Sequence, residues 1–442
     1  MPAKMPGGPD VGNGARSGHG SAAHLIPFGG PMKSLGTQRP RRVVSAIMVG
    51  VATVLVACAG EPSEPISVRP PNSAASVASV PRQTASQRWV ALTREIIGRR
   101  ENGPLGTART YALLAVAQYN AVIAARTSKA RGIHPSEARA AGTAGAAFLA
   151  SLYPAEQGVI AAQTAADAAY FADMPSERDA DAEAGIALGK EAAARVLARA
   201  ATDGSTSVWT GTIPTGPGFW RNAPAPAQPI GPRWGLVRPW VLDRGDQFRP
   251  PPPPAFGSPA FVSALAEVRE YSDNLTPAQL AIAQFWQFGS GPGGPMGYFG
   301  ALATQLAESQ HLTEVQAARM FAVMYMAMMD ASIGCWDAKY AYWYVRPFQA
   351  DTRIATPVGR PNFPSYPSAH SCLSASAAEV LAELFPNEGA DLEAKVAEAG
   401  IARIYAGLHY QFDVTAGQAL GSAVARVAIA RGPRGFEPIP LD

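Results

Sequence analysis

Cysteine is scarce in this chain, with three in 442 residues, at positions 58, 335 and 372. Cys335 and Cys372 stand in apolar helical contexts and read as buried thiols rather than a disulfide. Without several histidines beside them they cannot build a structural zinc site. Charge is sparse as well, at 16% of residues, and the formal +3 is misleading. Residues 1–57 hold six cations (Lys4, Arg16, Lys33, Arg39, Arg41, Arg42) against Asp10, which leaves −2 for the remainder. Nothing in that balance points to a nucleic-acid partner. No segment alternates polar and apolar residues as a half-buried strand would. The glycine-rich stretch Gly289 to Gly294 has neither the spacing of a nucleotide-binding fingerprint nor a strand before it, which argues against phosphate cradling there. No ligand cluster suggests a divalent metal.

What is present begins with an export pattern. Arg39, Arg41 and Arg42 form a basic region, and Val43 to Ala57 an apolar run of 15 residues, the length of a signal core and too short for an ordinary membrane span. The run ends Leu55-Val56-Ala57-Cys58, which resembles the lipobox of bacterial lipoproteins, where the cysteine becomes the lipid-bearing N-terminus. The alternative is an ordinary signal peptide with an incidental cysteine. Residues 1–57 are thus expected to be a signal region, with Met32-Lys33 as a conventional start that would make 1–31 a gene-start error. Residues 58–85, rich in Pro, Ser and Ala, read as a lipid-anchored flexible tether. The expected location is the periplasm or the extracellular face, with membrane contact only through the anchor.

The rest reads as all-α. Trp89, Leu92, Ile96 and Ile97 recur on one face of a 3.6-residue period, and helical stretches follow at about 105–127, 135–152, 156–171 and 177–201. Residues 86–205 carry no cluster of catalytic residue types and read as an N-terminal helical scaffold. Residues 206–257 scatter Trp209, Trp220, Trp234 and Trp240 among prolines and glycines and end in the run Pro250 to Pro254. Disordered linkers are poor in tryptophan, so a packed covering loop is expected. Helices resume at about 258–271, 277–288, 297–308, 312–343, 370–385, 390–400 and 408–430. Residues 258–431 would be a second helical bundle, and 432–442 a tail.

Three segments of that second bundle carry chemistry. In Lys339-Tyr-Ala-Tyr-Trp-Tyr-Val-Arg346-Pro347, seven residues return to nearly the same helical face, so both cations can aim at one spot. Trp336, Tyr340, Trp343 and Tyr344 make their surroundings aromatic, and a buried cation needs an anionic partner. In Phe363-Pro-Ser-Tyr-Pro367-Ser368-Ala369-His370, a proline-stiffened loop leads into a helix start, a ready anion site with a histidine beside it. In Arg403-Ile-Tyr-Ala-Gly-Leu-His409-Tyr-Gln-Phe-Asp413, a carboxylate four residues along a helix can fix the His409 tautomer and free its other nitrogen as a nucleophile. The six-residue offset of Arg403 from His409 fits no single helical face, so the helix should start or bend near Gly407. Each block alone also has a bland reading: a solvated cation pair, an N-cap serine before a half-buried histidine, a surface His–Asp pair.

Together the three blocks resemble the signature of the type-2 phosphatidic acid phosphatase and vanadium-dependent haloperoxidase superfamily, K-x6-R-P, then P-S-G-H, then S-R-x5-H-x3-D. Order and internal spacing agree throughout. Trp234-Gly-Leu-Val-Arg-Pro, Gln247-Phe-Arg-Pro-Pro and Trp336-Asp-Ala-Lys look like the larger, soluble, bacterial haloperoxidase-related branch. The resemblance is specific over about 205–430 and loose over 86–204. It implies that Lys339, Arg346 and Arg403 bind the equatorial oxygens of phosphate or vanadate, with hydrogen bonds from Ser368 and the N–H of Ala369. It further implies that His409 attacks phosphorus or ligates vanadium, that Asp413 orients it, and that His370 is the general acid–base. Two positions depart from the pattern: Ala402 replaces a supporting serine, and Ala369 replaces the glycine. Alanine keeps the N–H but disfavours positive φ, so a loop that needed φ > 0 there would have to be reshaped.

On sequence alone the leading function is an exported phosphatase working through a phosphohistidine on phosphate esters, with no cofactor. The alternative is a vanadium-dependent haloperoxidase, with vanadate as cofactor and halide and peroxide as substrates. A third reading, resting on Ala369, is a degenerate phosphate-binding lipoprotein. The lipobox generates its own test. Cells fed a palmitate analogue should label the wild-type chain and not the Cys58→Ala variant; label on the variant would remove the anchor.

Overall fold

The computed structural model describes residues 83–100, 103–128, 132–172, 178–222, 228–287, 294–433 and 437–441. The signal region, Cys58, nearly all of the tether and most of the glycine-rich stretch lie outside the described residues. Thirteen α-helices are described: α1 (Ala85–Arg100), α2 (Pro104–Thr127), α3 (Glu137–Leu152), α4 (Gln157–Ala172), α5 (Asp179–Thr202), α6 (Pro259–Asp273), α7 (Pro277–Gln287), α8 (Pro295–Ser309), α9 (Glu314–Tyr342), α10 (Pro347–Ala350), α11 (Ala369–Leu384), α12 (Gly389–Tyr405) and α13 (Gln411–Arg431). The fold is all-α; among the described residues the one β feature is an isolated bridge between Phe219 and Tyr344. No described helix is long and apolar enough to cross a membrane.

Local chemistry sets the helix starts. Proline opens α2, α6 and α8, where its missing N–H costs nothing. The Ser136 and Ser258 hydroxyls cap α3 and α6 by accepting from Arg139 N and Phe261 N. Thr313 and Gln316 form a capping box ahead of α9. From there α9 is buried on almost every side, from Val315 to Lys339, so it is a central helix rather than an amphipathic surface one. Around it pack α2, α11 and α13, and one apolar core runs through the N-terminal and C-terminal helices alike. A smaller cluster around Phe261, Tyr344, Phe348 and Tyr410 lies under the turns that build the site. Close approach of α13 to α11 requires Gly417 and Gly421, where a Cβ would stand 2.6 Å from Ser368 O and 2.2 Å from Cys372 O.

The tryptophan- and proline-rich segment packs along α9. Trp234 Nε1 donates to Ser332 Oγ at 2.9 Å, and Arg249 grips Asp337 with two bonds, at 2.7 and 2.9 Å. Proline cannot donate, but its carbonyl accepts. Thus Tyr342, Tyr366 and Tyr344 donate to Pro250 O, Pro251 O and Pro254 O, at 2.7, 2.8 and 2.6 Å. The last residues are tied down too, through a pair of bonds between Asn120 and Ile439.

One carboxylate organises this covering. Asp330, fully buried in α9, accepts from the backbone N–H groups of Trp240, Val241 and Leu242 at 2.9, 2.7 and 3.0 Å. Burial pushes its carboxyl up to about 6, against the pull of those three donors. Asp330→Ala would leave three buried donors without a partner. We expect a loss of about 3 kcal/mol or more, read from urea denaturation; an unchanged midpoint would show that this anchor holds nothing.

Candidate active site

The site is assembled where three chain reversals meet. The first ends α9: Trp343 adopts φ 50 and closes the helix one turn after Lys339. Arg346 therefore lies beyond the helix, as the residue capping the short α10, and the seven-residue helical repeat is not what brings it to Lys339. Their meeting point is a shared acceptor. Lys339 Nζ and Arg346 Nη2 both donate to Pro364 O, at 2.9 and 3.2 Å.

Both cations are wholly spent on backbone and histidine acceptors. An ammonium has three N–H groups, and Lys339 gives them to the carbonyls of Pro364, Ser365 and Pro367. A guanidinium has five, and Arg346 places them on Phe363 O (twice), Pro364 O, Leu408 O and His409 Nε2. The structure thus has Lys339 and Arg346 stitching residues 363–367 to the turn at 408–409. Phe363 lies against both charges, 5.2 Å from Lys339 Nζ and 5.1 Å from the Arg346 guanidinium.

The second reversal opens α11. Ser368 is its N-cap, with Oγ accepting from Ser371 N at 3.4 Å and its own N–H donating to Asp413 O. Ala369 is the first helical residue and takes no positive φ, so the missing glycine costs no backbone strain. Helix geometry leaves the N–H groups of the first turn without intrahelical acceptors, and this turn borders the cavity described below.

The third reversal joins α12 to α13. Gly407, at φ 69, makes the turn; a Cβ there would stand 2.4 Å from Ala355 O. Arg403 ends α12, and His409 lies two residues ahead of α13, not on it. The His–Asp pair forms nonetheless, across the helix start: His409 Nδ1 lies 2.8 Å from Asp413 Oδ2. The same oxygen accepts from Ser365 Oγ at 2.5 Å and Tyr410 N at 3.2 Å. With Nδ1–H given to the carboxylate and Nε2 accepting from Arg346 at 3.0 Å, the partners assign His409 its neutral Nδ1–H tautomer.

A cavity of about 280 Å³ lies against these turns. Arg403, His370, His409 and Ala369 line it; Lys339, Arg346, Ser368 and Asp413 stand outside its lining, in the layer behind. Arg403 donates to Ala283 O at 2.9 Å and Gln287 Oε1 at 3.0 Å, and its Nε is buried with no partner. His370 Nε2 lies 2.7 Å from Trp286 O. Pro104 and Thr107 of α2 also line the cavity, so the N-terminal helices contribute to the site, which the lack of catalytic residue types there concealed. The described residues of 206–257 contribute no lining; they brace α9 from outside.

Electrostatics favour an anion. Lys339, Arg346 and Arg403 are all buried, and none makes an ion pair among the described residues; Asp413 is the buried carboxylate beside them. Burial lowers Lys339 to about 8, Arg346 to about 10 and Arg403 to about 9, the last helped by Arg346. Burial, then the neighbouring cations, holds His409 and His370 well below the usual histidine range, so both are neutral at pH 7. Burial pushes Asp413 up to about 6, still ionised at neutral pH. Sequence reading missed Ser365, Gln287 and the carbonyls of Ala283 and Trp286. A serine inside the Pro-Ser-Tyr-Pro block was a usable signal for the first, and α7 carries none.

The charge balance sets a pH dependence. Sulfate stays a dianion across the neutral and alkaline range, so only the protein titrates. Its affinity should hold near pH 7 and fall above about 8 as Lys339 loses its proton, by at most about tenfold per pH unit for one proton. A bound dianion raises that pKa, so binding at pH 8 should take up protons, measurable by titration calorimetry in buffers of different ionisation enthalpy. Flat affinity through pH 9 with no proton uptake would put Lys339 outside the anion's field.

Comparison with known proteins agrees with the all-α fold. Residues 317–434 match the sequence model of the PAP2 superfamily. Among solved structures, a bacterial vanadium-dependent iodoperoxidase superposes with TM-score 0.67 at 22% identity, over 79% of this chain and 97% of that one. A bacterial vanadium-dependent chloroperoxidase superposes in its apo form (TM-score 0.58, 14% identity, 74% and 93% covered) and its holo form (0.59, 15%, 74% and 92%). A search of curated proteins found no match. Residues 317–434 are thus similar to the PAP2 superfamily, and the chain has the helical fold seen in the vanadium-dependent haloperoxidases.

Proposed function

We propose that this chain is a vanadate-dependent haloperoxidase that oxidises halide with hydrogen peroxide. The observation that carries the reading is the cavity: about 280 Å³, at the small end of ligand pockets, walled by Pro104, Met296, Trp336, Phe363 and Leu373 over a cationic floor. Such a space suits a tetrahedral oxyanion with small co-substrates better than an ester with a tail. The likeness to the iodoperoxidase, which extends over the N-terminal helices, supports the same order. On sequence alone hydrolysis leads; the cavity reverses that.

The residues present fit vanadate. Arg403 has a buried unpartnered donor, the first turn of α11 offers backbone N–H groups at Ala369 and His370, and His409 has a neutral ring with its Nε2 lone pair on the Arg346 side. In this proposal His409 would ligate through Nε2 in exchange for its bond from Arg346 Nη1, and Arg403 and the α11 N–H groups would hold oxygens. Lys339 and Arg346 act from behind as fixed positive charge. Bound vanadate would supply a Lewis-acidic centre that polarises peroxide toward halide. Asp413 keeps the His409 tautomer, and neutral His370 is the group beside the cavity able to take or return a proton. Export and anchoring through Cys58 belong to the same proposal and rest on residues 39–58.

A phosphatase remains the second reading, because a neutral His409 imidazole held by a carboxylate is also a competent nucleophile toward phosphorus. The degenerate binder gains nothing from Ala369, whose backbone is that of an ordinary first helical residue. One preparation separates the readings. Reconstituted with vanadate and given peroxide with iodide or bromide, the protein should halogenate an indicator dye, and His409→Ala should abolish turnover. Hydrolysis of phosphate esters without any halide oxidation would overturn the peroxidase reading in favour of the phosphatase.

A further inference from the structure

The C-terminal turn of α7 presents three groups to the site. Two are carbonyls, Ala283 O on Arg403 Nη2 and Trp286 O on His370 Nε2, and a carbonyl can only accept. The third is the Gln287 carboxamide, which can do both. Its Oε1 accepts from Arg403 Nη1 at 3.0 Å. A guanidinium only donates, so this bond fixes the amide orientation, with oxygen toward Arg403 and the NH2 turned away. Gln287 lines the cavity, and its Nε2 lies beside Gly359, another lining residue, where a Cβ would be 3.5 Å from it. No described residue accepts from that NH2.

We propose that Gln287 is an anion-binding residue, whose side-chain NH2 donates to an outward oxygen of the tetrahedral oxyanion held by Arg403. The proposal rests on the oxyanion-binding half of the function above. Three arguments carry it. An anion against the spare donors of Arg403 lies beside the residue hydrogen-bonded to Arg403. The bond to Arg403 orients the amide in advance, so no ordering cost falls on binding. Finally, Arg403 in the floor already has two buried cations behind it, and a further one would repel Arg403; a neutral donor adds a directed N–H without adding charge.

The test is a double-mutant cycle with sulfate as the probe, read by titration calorimetry on the full chain. Gln287→Met keeps length and volume and loses both functions of the amide. It should weaken sulfate about tenfold, with the urea midpoint close to wild type. If Gln287 donates directly, the same factor should persist when Arg403 is already Arg403→Lys. Wild-type affinity in Gln287→Met, or a factor that disappears in the Arg403→Lys background, would overturn the proposal and leave Gln287 a support for Arg403. Should Arg403→Lys bind no sulfate at all, the Gln287 side-chain NH2 resonance decides, assigned by its loss in Gln287→Met: a sulfate-dependent downfield shift supports donation, and an unmoved resonance overturns it. Halide oxidation enters none of these readouts. A chain that binds sulfate through Gln287 but oxidises no halide refutes the peroxidase reading alone.

Discussion

Everything in the site depends on keeping positive charge buried without carboxylates to pair it. Lys339 and Arg346 are fully buried, and their eight N–H groups go to seven backbone carbonyl contacts and one imidazole nitrogen. Carbonyl dipoles satisfy the hydrogen bonds without cancelling the charge. The positive field therefore survives inside a low-dielectric interior, where it is strongest, and the lowered pKa values of all three cations record the strain of holding it. A carboxylate opposite each cation would have built a more comfortable core and no anion site.

The same bonds also make the loop. Residues 363–367 contain two prolines, which donate nothing to a backbone ladder, and the carbonyls of the segment would be buried and unsatisfied without the two cations. Lys339 and Arg346 thus hold in place the segment that delivers Ser368 and the start of α11. Asp413 does the equivalent work on the other side, joining Ser365, His409 and Tyr410 through one oxygen. Charge, loop and the His409 imidazole form one network, so a change to any member reaches the others.

Much of this was legible in the sequence, and the illegible parts share a cause. Helix positions followed from apolar periodicity, since that signal is local. The bend at Gly407 was legible because Arg403 and His409 could not share a helical face, and a glycine stood between them. The helix end near 343 was legible, but its consequence was not: the seven-residue repeat placed Arg346 on the helical face of Lys339, whereas Trp343, a bulky residue that rarely takes positive φ, turns the chain out of the helix before it. Asp330 looked like an ordinary helical carboxylate, because its donors lie some ninety residues away in a segment without regular structure. The carbonyls of Ala283 and Trp286 were invisible because backbone acceptors carry no residue signature, and Gln287 because a lone glutamine on a helix has no motif around it.

The division between the two kinds of wall bears on how one signature serves different reactions. The oxyanion's surroundings, from Arg403, His409 and the first turn of α11, come from the segment that matches the superfamily, residues 317–434. Pro104 and Thr107 come from α2, whose position is set by its packing against α9 in the shared core. Substituting the floor would alter which anion is held. Shifting α2 by an ångström or two would alter what fits beside it, with every motif residue unchanged. The three-block signature accounts for one side of the cavity, and the other side follows from how α2 packs in the shared core.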